Sequence, residues 1–423
     1  MQTAPRYLQR RLTIAIVVCA FASPAMASTI LVSTTADSVA NDGQCSLREA
    51  ITSANTGVAS GAAAGECAAP PAQTAVEIRV PTGTFRITRS GTQENNNLNG
   101  DFDIRRGTLQ IIGAGAGLTT IRGDRDERVF DLPVIVSPPP LTGPVVEFSD
   151  LTIRDGSAPF GGAIAVQGGY LLQIRRCAIV NNDAGYGGAI ASFNDLIIDA
   201  STFHANATTD AAGLGGGALY HSGASATLRN TTFNANESLT YGSAAFFDGA
   251  ATLNHVTAAE NIADSDFNGS GGAAVYINQP VNIANTLISG NVDLGIVVAD
   301  PAMPDCFSGP AQLTSQGYNL IGNSGAACMV TSVQASDQIG TPAAPINAQL
   351  LPLAPYGGPT DTQLPAARSP AVDRGAPLLP AGPYACLSVD QRGVARPIGA
   401  RCDIGAAESD DRIFADDFEI PPA

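Results

Sequence analysis

The middle of the chain reads Cys177-Ala-Ile-Val-Asn-Asn182 and, a few residues later, Gly187-Gly-Ala-Ile190. Both elements recur. Elements like the first end at Asn182, Asn206, Asn236, Asn261 and Asn291, which lie 24, 30, 25 and 30 residues apart. Elements like the second begin at Gly161, Gly187, Gly216, Gly242 and Gly271, at spacings of 26, 29, 26 and 29. Both elements recur at similar, slightly irregular spacings, which indicates an internal repeat of roughly 24–30 residues.

The repeat predicts stacked coils of short strands. Runs such as Leu196-Ile-Ile198 are too short for an amphipathic helix. Stacking would place Ile179, Phe203 and Phe233 in one inward column. An asparagine at each corner can adopt left-handed backbone geometry and bond to its counterparts, and paired glycines suit a tight bend. We therefore predict an all-β fold, a right-handed parallel β-helix solenoid of the pectate-lyase type.

The segment before the repeats predicts a cover for the first coil. In Cys45-Ser-Leu-Arg-Glu-Ala50, Ser46 and Glu49 form a capping-box pattern, and the apolar residues that follow line one helical face. We assign 28–75 to an N-terminal cap with a short helix and 76–300 to coils. The first coils should span Val76 to Thr88 and Phe102 to Arg122.

The repeat fades after residue 300. Ordered-looking segments follow at Ser369–Gly375, Asp390–Gly393 and Cys402–Ala406. We assign 301–408 to terminal coils and a C-terminal cap closed by a disulfide, because an open solenoid end exposes apolar core and strand edges. Residues 409–423 read as an acidic tail.

The first 27 residues have the pattern of a signal peptide. Arg6, Arg10 and Arg11 precede the apolar run Leu12 to Phe21, and Ala25-Met-Ala27 offers a small-x-small cleavage site. We expect an exported mature chain that starts at Ser28. No later stretch has the roughly 18 consecutive apolar residues of a membrane-spanning helix.

The cysteines agree with an oxidising compartment. Six of them fall into sequence-local pairs, although six cysteines allow 15 connectivities. The predicted pairs are Cys45 with Cys67, Cys306 with Cys328, and Cys386 with Cys402. We interpret Cys177, inside the repeats, as a small buried apolar residue and not as a reactive thiol.

The charge balance excludes two classes of partner. The chain has 22 basic and 38 acidic residues, a formal net charge of −16. Nucleic acids and anionic lipids need clustered cations, so neither is expected as a partner. Hydrophobic residues make up 44% of the chain, enough for a buried core.

One acidic segment resembles a calcium loop. Asp264-Ser-Asp-Phe-Asn-Gly269 has oxygen-bearing side chains at alternate positions, Asp264, Asp266 and Asn268, with glycine at the sixth. The twelfth position is Val275, where such a loop has a bidentate glutamate. The two interpretations are a Ca²⁺ site and a solvated turn. No other cofactor is implied.

The recurring aspartates and the histidines are further candidates for chemistry. Asp155, Asp183 and Asp210 precede glycine-containing turns and could align to bind metal or sugar, or could simply suit turn geometry. The three histidines, His204, His221 and His255, share no metal-ligand spacing. We assign no catalytic residues.

The end motifs carry a family resemblance. Cys45-Ser-Leu-Arg-Glu-Ala50 resembles the CSLREA motif of exported bacterial β-helix proteins, and the Phe-x-x-Asn and Gly-Gly-Ala-Ile elements resemble polymorphic outer membrane protein repeats. The block from Asp390 to Ala406 is similar to the choice-of-anchor domain that accompanies CSLREA. The resemblance implies a secreted protein or one on the outer surface of a Gram-negative cell.

Two functions follow as expectations. The first is a structural, adhesive or interaction role without an evident catalytic site, with polysaccharide or cell-surface molecules of a host or neighbouring cell as partners. The alternative is a polysaccharide lyase or glycoside hydrolase acting on acidic polysaccharide, because such enzymes need carboxylates that project together from adjacent coils.

Overall fold

The computed structural model describes residues 27–71, 74–91, 94–134, 144–267, 269, 272–295, 304–378, 382 and 384–409. Nearly all of the predicted signal peptide and of the predicted acidic tail lies outside these residues. The described chain contains one α-helix, α1 (Leu47–Thr56), and 32 short β-strands.

In chain order the strands are β1 (Ser28–Leu31), β2 (Val76–Arg79), β3 (Gly83–Arg86), β4 (Phe102–Asp103), β5 (Thr108–Ile112), β6 (Thr119–Arg122), β7 (Phe130–Leu132), β8 (Val145–Ser149), β9 (Thr152–Arg154), β10 (Ser157–Phe160), β11 (Ile164–Val166), β12 (Leu171–Arg175), β13 (Ala178–Val180), β14 (Asp183–Tyr186), β15 (Ile190–Ser192), β16 (Leu196–Asp199), β17 (Thr202–His204), β18 (Ala207–Thr208), β19 (Leu219–His221), β20 (Ala226–Asn234), β21 (Ala245–Phe247), β22 (Ala251–Ala259), β23 (Ile262–Ala263), β24 (Val275–Ile277), β25 (Val281–Ala284), β26 (Leu287–Ile288), β27 (Val292–Asp293), β28 (Cys306–Ser308), β29 (Leu313–Ser315), β30 (Leu320–Ile321), β31 (Val330–Thr331) and β32 (Gln338–Ile339).

These strands form the faces of a solenoid. A 19-stranded sheet, the long sheet, runs the length of the molecule, and an eight-stranded sheet runs beside it in the order β4, β7, β11, β15, β19, β21, β24, β28. Two shorter sheets, β10-β14-β18 and β23-β27, complete the circuit. Each strand pairs in parallel with its counterpart one coil away. The predicted all-β parallel β-helix is confirmed.

The predicted inward column is also confirmed. Ile179 pairs in register with Phe203, and Phe203 with Phe233. The two phenyl rings stack with centroids 4.8 Å apart, which matches the spacing between neighbouring strands. All three side chains are buried, so apolar residues at equivalent positions of successive coils pack on one another along the solenoid axis.

The predicted asparagine ladder is present, with one correction. The side chains of Asn182, Asn206, Asn236, Asn261 and Asn291 bond one to the next, with amide nitrogen to oxygen distances of 2.9–3.0 Å. The left-handed backbone, however, belongs to the preceding residue: φ is 53° at Ala205 and 51° at Ala235. Each corner therefore uses two adjacent residues: the first adopts the left-handed backbone of the bend, and the asparagine after it makes the side-chain hydrogen bonds.

The glycine pairs form the corner before the eight-stranded sheet. In the pairs that the structure describes in full, the first glycine is left-handed, with φ of 60° at Gly161 and 59° at Gly187. The second is confined by the next coil, because a Cβ on Gly188 would lie 2.1 Å from the carbonyl oxygen of Gly217. The predicted tight bend without side chains is therefore what stacking requires.

Helix α1 covers the start of the solenoid. Its predicted capping box is present: the Ser46 hydroxyl accepts from the Glu49 amide, and the Glu49 carboxylate accepts from the Ser46 amide. Ile51 and its apolar neighbours on one face join the main core. Strand β1 precedes this helix yet pairs with β2, so the first coil begins inside the segment predicted as cap.

The C-terminal cap lies along the side of the solenoid. The described residues between 345 and 409, which we call the strap, pack against the outer face of the long sheet. Gln391 donates to the Thr202 hydroxyl at 2.8 Å and accepts from the Thr232 hydroxyl at 2.6 Å. One coil further, the Ala406 amide donates to the Thr257 hydroxyl at 2.9 Å. The strap therefore covers several successive coils.

All three predicted disulfides are present. The Cα–Cα distances are 4.8 Å for Cys45–Cys67, 5.1 Å for Cys306–Cys328 and 6.2 Å for Cys386–Cys402, which closes the strap. Cys177 is free and buried, and burial raises the pKa of its thiol to about 12. A thiol that stays protonated is a packing residue, as predicted.

The histidines occupy unrelated positions. His204 is in the long sheet. His255 lies at a corner beneath the strap, and its Nδ1 donates to the Gly405 carbonyl oxygen at 3.1 Å. His221 points into the core of the eight-stranded sheet. Neither ring nitrogen of His221 has a hydrogen-bond partner of normal geometry. Burial lowers the pKa of His221 to about 4.

We expect His221→Phe to raise the free energy of unfolding by about 1–2 kcal/mol at neutral pH, because it removes unsatisfied buried polar atoms. The gain should grow as the pH falls from about 6.5 towards 4, since the wild-type histidine then takes up a proton only when unfolded. Urea unfolding at a series of pH values measures both effects. A variant with the same pH slope as wild type would contradict the expectation.

Candidate functional site

The eight-stranded sheet presents one outward residue per coil. Its short strands alternate, so that residues such as Ile164 and Val166 enter the core while the residue between them faces outward. In axial order this outward column is Asp103, Asp131, Ala165, Ala191, Tyr220, Phe246, Tyr276 and Phe307. It begins with two carboxylates and ends with four aromatic rings.

Neighbouring corners extend the aromatic part over the two alanines. Phe160 and Tyr186 end strands of the short sheet and lie in register with each other. In the next coil, the residue that pairs with Tyr186 is Gly215. Because glycine has no side chain, it leaves room for the Tyr220 ring of the outward column. We call the combined set the aromatic row: Phe160, Tyr186, Phe193, Tyr220, Tyr241, Phe246, Tyr276 and Phe307.

The aromatic row is continuous along the axis. Ring centroids are 5.7 Å apart for Phe160–Tyr186 and 5.1 Å for Tyr186–Tyr220. The next three steps, through Phe246 and Tyr276 to Phe307, are 5.5, 4.5 and 5.3 Å. Five coil steps at the usual strand spacing give a length of roughly 24 Å.

The rings differ in exposure. The buried rings support the row, and the half-buried and exposed rings can contact a ligand. Tyr220 and Phe246 are buried, at 3% and 7% exposed, whereas Phe193 is 36% exposed. Tyr186 and Tyr276 are half-buried. The inner rings hold the outer ones in place, so the accessible surface is preorganised.

Polar groups border the row. The Tyr220 hydroxyl donates to Asp248 at 3.1 Å, and the Asn278 amide donates to the other Asp248 oxygen at 2.7 Å. Burial, followed by the nearby Asp248 carboxylate, raises the pKa of Tyr220, so its hydroxyl stays protonated. Flat apolar faces beside fixed hydrogen-bonding groups suit a ligand that is itself amphipathic, such as a sugar ring or an apolar side chain.

The other end of the column is an acidic cluster. Asp101, Asp103 and Asp131 each bring a carboxylate oxygen within 4.8 Å of the others. They are 3%, 0% and 1% exposed. Burial raises the pKa of Asp101 to about 9 and of Asp103 to about 7, with neighbouring carboxylates adding to the first shift. Burial also raises the pKa of Asp131.

The acidic cluster partly meets the requirement of the enzymatic alternative. Arg128 makes ion pairs with Asp131 at 3.1 Å and with Asp101 at 3.7 Å, so carboxylates and an arginine converge on one place. The carboxylates are nevertheless buried, and an inverting hydrolase has its two carboxyl groups about 6.5–9.5 Å apart. The geometry suits a small occupant better than a sugar polymer.

The predicted calcium loop is only partly described. Asp264 is buried with a left-handed backbone, and Asp266 is exposed. Asn268 lies outside the described residues. A Ca²⁺ site at Asp264, Asp266 and Asn268 therefore stays a prediction.

The three recurring aspartates are not equivalent. Asp155 is a left-handed corner residue that pairs with Arg122 at 2.6 Å and Arg154 at 3.2 Å. Asp183 begins a strand and lies in register with Ser157, and Asp210 is in an exposed turn. The interpretation as turn residues fits this arrangement better than a shared ligand site.

Sequence reasoning missed both the acidic cluster and the aromatic row. The signal for the row was available, because Ala165, Ala191, Tyr220 and Phe246 each follow a Gly-x-Ala-x element by one residue. Neighbouring residues in a strand point to opposite faces. If the last residue of the Gly-x-Ala-x element points into the core, the residue after it points outward. Asp103 and Asp131 do not follow a Gly-x-Ala-x element.

No protein-family model matches the chain, and no curated protein matches it either. In the part of the chain that the structure describes, there is no helix with the length and apolar character needed to cross a membrane.

Proposed function

We propose that the chain is an exported protein, secreted or held at the outer cell surface, with an adhesive or interaction role. Support comes from the signal-like N-terminus, from three disulfides, which persist in oxidising compartments, and from the CSLREA resemblance. The observation that carries the proposal is the aromatic row, a half-exposed apolar strip on a solenoid with a net negative charge.

The ligand that fits the row best is an extended glycan. Rings repeat along one line at 4.5–5.7 Å, so a chain could lie along the row and touch several rings at once. Asp248 and Asn278 offer hydrogen bonds beside the rings. A formal net charge of −16 disfavours polyanions, so the proposal is a neutral polysaccharide.

Substituting a half-buried ring at the surface of the row should weaken binding without unfolding the protein. We expect Tyr276→Ala to lower the affinity for a soluble neutral β-glucan about tenfold, as for the loss of one well-packed aromatic contact of roughly 1.4 kcal/mol. Isothermal titration calorimetry measures it. Tyr356→Ala is the matched control, since this half-buried tyrosine lies in the strap and bonds to Pro352.

The same samples test the enzymatic alternative, which the convergence of three aspartates and Arg128 favours. Polygalacturonate incubated with the protein would release unsaturated or reducing ends if a lyase or hydrolase were present. Release that Asp131→Asn abolishes would replace the proposal with that alternative. If Tyr276→Ala and Tyr356→Ala bind the glucan with equal affinity, the aromatic row is not the surface that contacts the glycan.

A further inference from the structure

The acidic cluster is assembled by two neighbouring coils and closed by a loop. Asp103 and Asp131 are register neighbours on β4 and β7, and Asp101 precedes them on the same outward face. The Asn97 amide donates to one Asp103 oxygen at 2.7 Å. Asn97 is tied in turn to helix α1, because its side chain donates to the Arg48 carbonyl at 2.8 Å. The cluster is thus an enclosed position in the fold.

Its charges are not balanced by the protein groups that touch it. Arg128 contacts Asp131 and Asp101, and Gln167 donates to Asp131 at 3.0 Å. The Arg128 guanidinium also stacks on the Phe160 ring, 4.7 Å from its centroid. Three carboxylates therefore face one guanidinium.

An independent observation points to a positively charged ligand at this position. The second oxygen of Asp103, Oδ1, is fully buried and has no hydrogen-bond partner. A buried carboxylate oxygen without a donor costs several kcal/mol unless a cation or proton lies beside it. This atom lies in a residue that faces Asp101 and Asp131.

We propose that Asp101, Asp103 and Asp131 bind one divalent cation, and that the cation is Ca²⁺. Calcium takes carboxylate oxygens at about 2.3–2.6 Å, so two ligand oxygens on opposite sides of one ion lie at most about 5.2 Å apart. The three oxygens satisfy that limit. Rotation of the Gln167 amide would supply a fourth oxygen, and the ion would fasten β4 to β7 and to the loop over α1.

The test compares calcium binding and thermal stability in protein first stripped with EDTA. Wild type is expected to bind one equivalent of Ca²⁺ in calorimetric titration and to gain several degrees in Tm, with a smaller gain in Mg²⁺. Asp103→Asn should lose at least tenfold in affinity and lose the Tm gain. In EDTA it should be at least as stable as wild type, because one buried like charge is gone.

Asp266→Asn is the matched control, as it removes a carboxylate from the loop whose sequence resembles a calcium site. We expect it to keep both the affinity and the Tm gain. Wild type that shows neither heat nor a Tm change with Ca²⁺ would overturn the proposal. So would a Tm gain that survives in Asp103→Asn and disappears in Asp266→Asn. Glucan binding is measured separately and does not bear on this outcome.

Discussion

Replacing Asn236 with alanine is expected to lower the free energy of unfolding by roughly 3–5 kcal/mol, since several buried bonds are lost together. Asn236 is fully buried in the middle of the ladder. Its Oδ1 accepts from the Asn206 backbone amide at 3.1 Å and from the Asn206 side chain at 2.9 Å. Its own amide donates to the Phe203 carbonyl at 3.0 Å and to Asn261 at 2.9 Å.

The cost is large because alanine leaves the partners behind. Two donors on Asn206 would stay buried without partners, and each such group costs about 1–3 kcal/mol. The Phe203 carbonyl would also lose the donor that Asn236 supplies. A ladder also couples its members, since each amide both donates and accepts. The damage should therefore reach the coils on both sides.

Urea unfolding and amide hydrogen exchange measure the effect. We expect a lower midpoint and faster exchange at Asn206 and Asn261. Asn95→Ala is the matched control, because Asn95 is exposed and the same atoms are removed. If Asn95→Ala and Asn236→Ala destabilise equally, the ladder does not stabilise the solenoid.

The repeat was predictable because stacking forces equivalent positions to share one environment. Asn206 and Asn236 occur where the coil needs a donor and an acceptor at once, and Phe203 and Phe233 occur where it needs apolar bulk. A regular spacing in the sequence therefore maps directly onto a column in space. The same logic predicted the capping box at Ser46, where all partners are within four residues.

Contacts between residues that are far apart in the chain and do not repeat could not be predicted in this way. The strap meets the long sheet through pairs such as Gln391 with Thr202, which are far apart in the chain and have no period. The acidic cluster joins Asp103 to Asp131 in coils that lack the glycine and asparagine markers, so nothing in the sequence aligned them. Outward positions also vary more than inward ones, which hid the aromatic row.

Arg396→Leu is expected to lower the free energy of unfolding of the strap by about 3–5 kcal/mol, because it leaves a buried carboxylate without its counterion. Arg396 and Glu408 form an ion pair at 2.5 Å, and their side chains are 0% and 1% exposed. Arg396 also donates to the carbonyls of Gly405 at 3.0 Å and Ala406 at 2.9 Å.

Those carbonyls belong to the segment that contacts the long sheet, so the strap should detach before the coils unfold. The Ala406 amide bonds to Thr257 and the Gly405 carbonyl to His255. We expect calorimetry to resolve two transitions and limited proteolysis to cut the strap first. Arg176→Ala is the control, since its ion pair with Asp150 at 2.6 Å is exposed and should be worth less than about 1 kcal/mol. A single, equally shifted transition in both variants would mean that the strap and solenoid unfold as one unit.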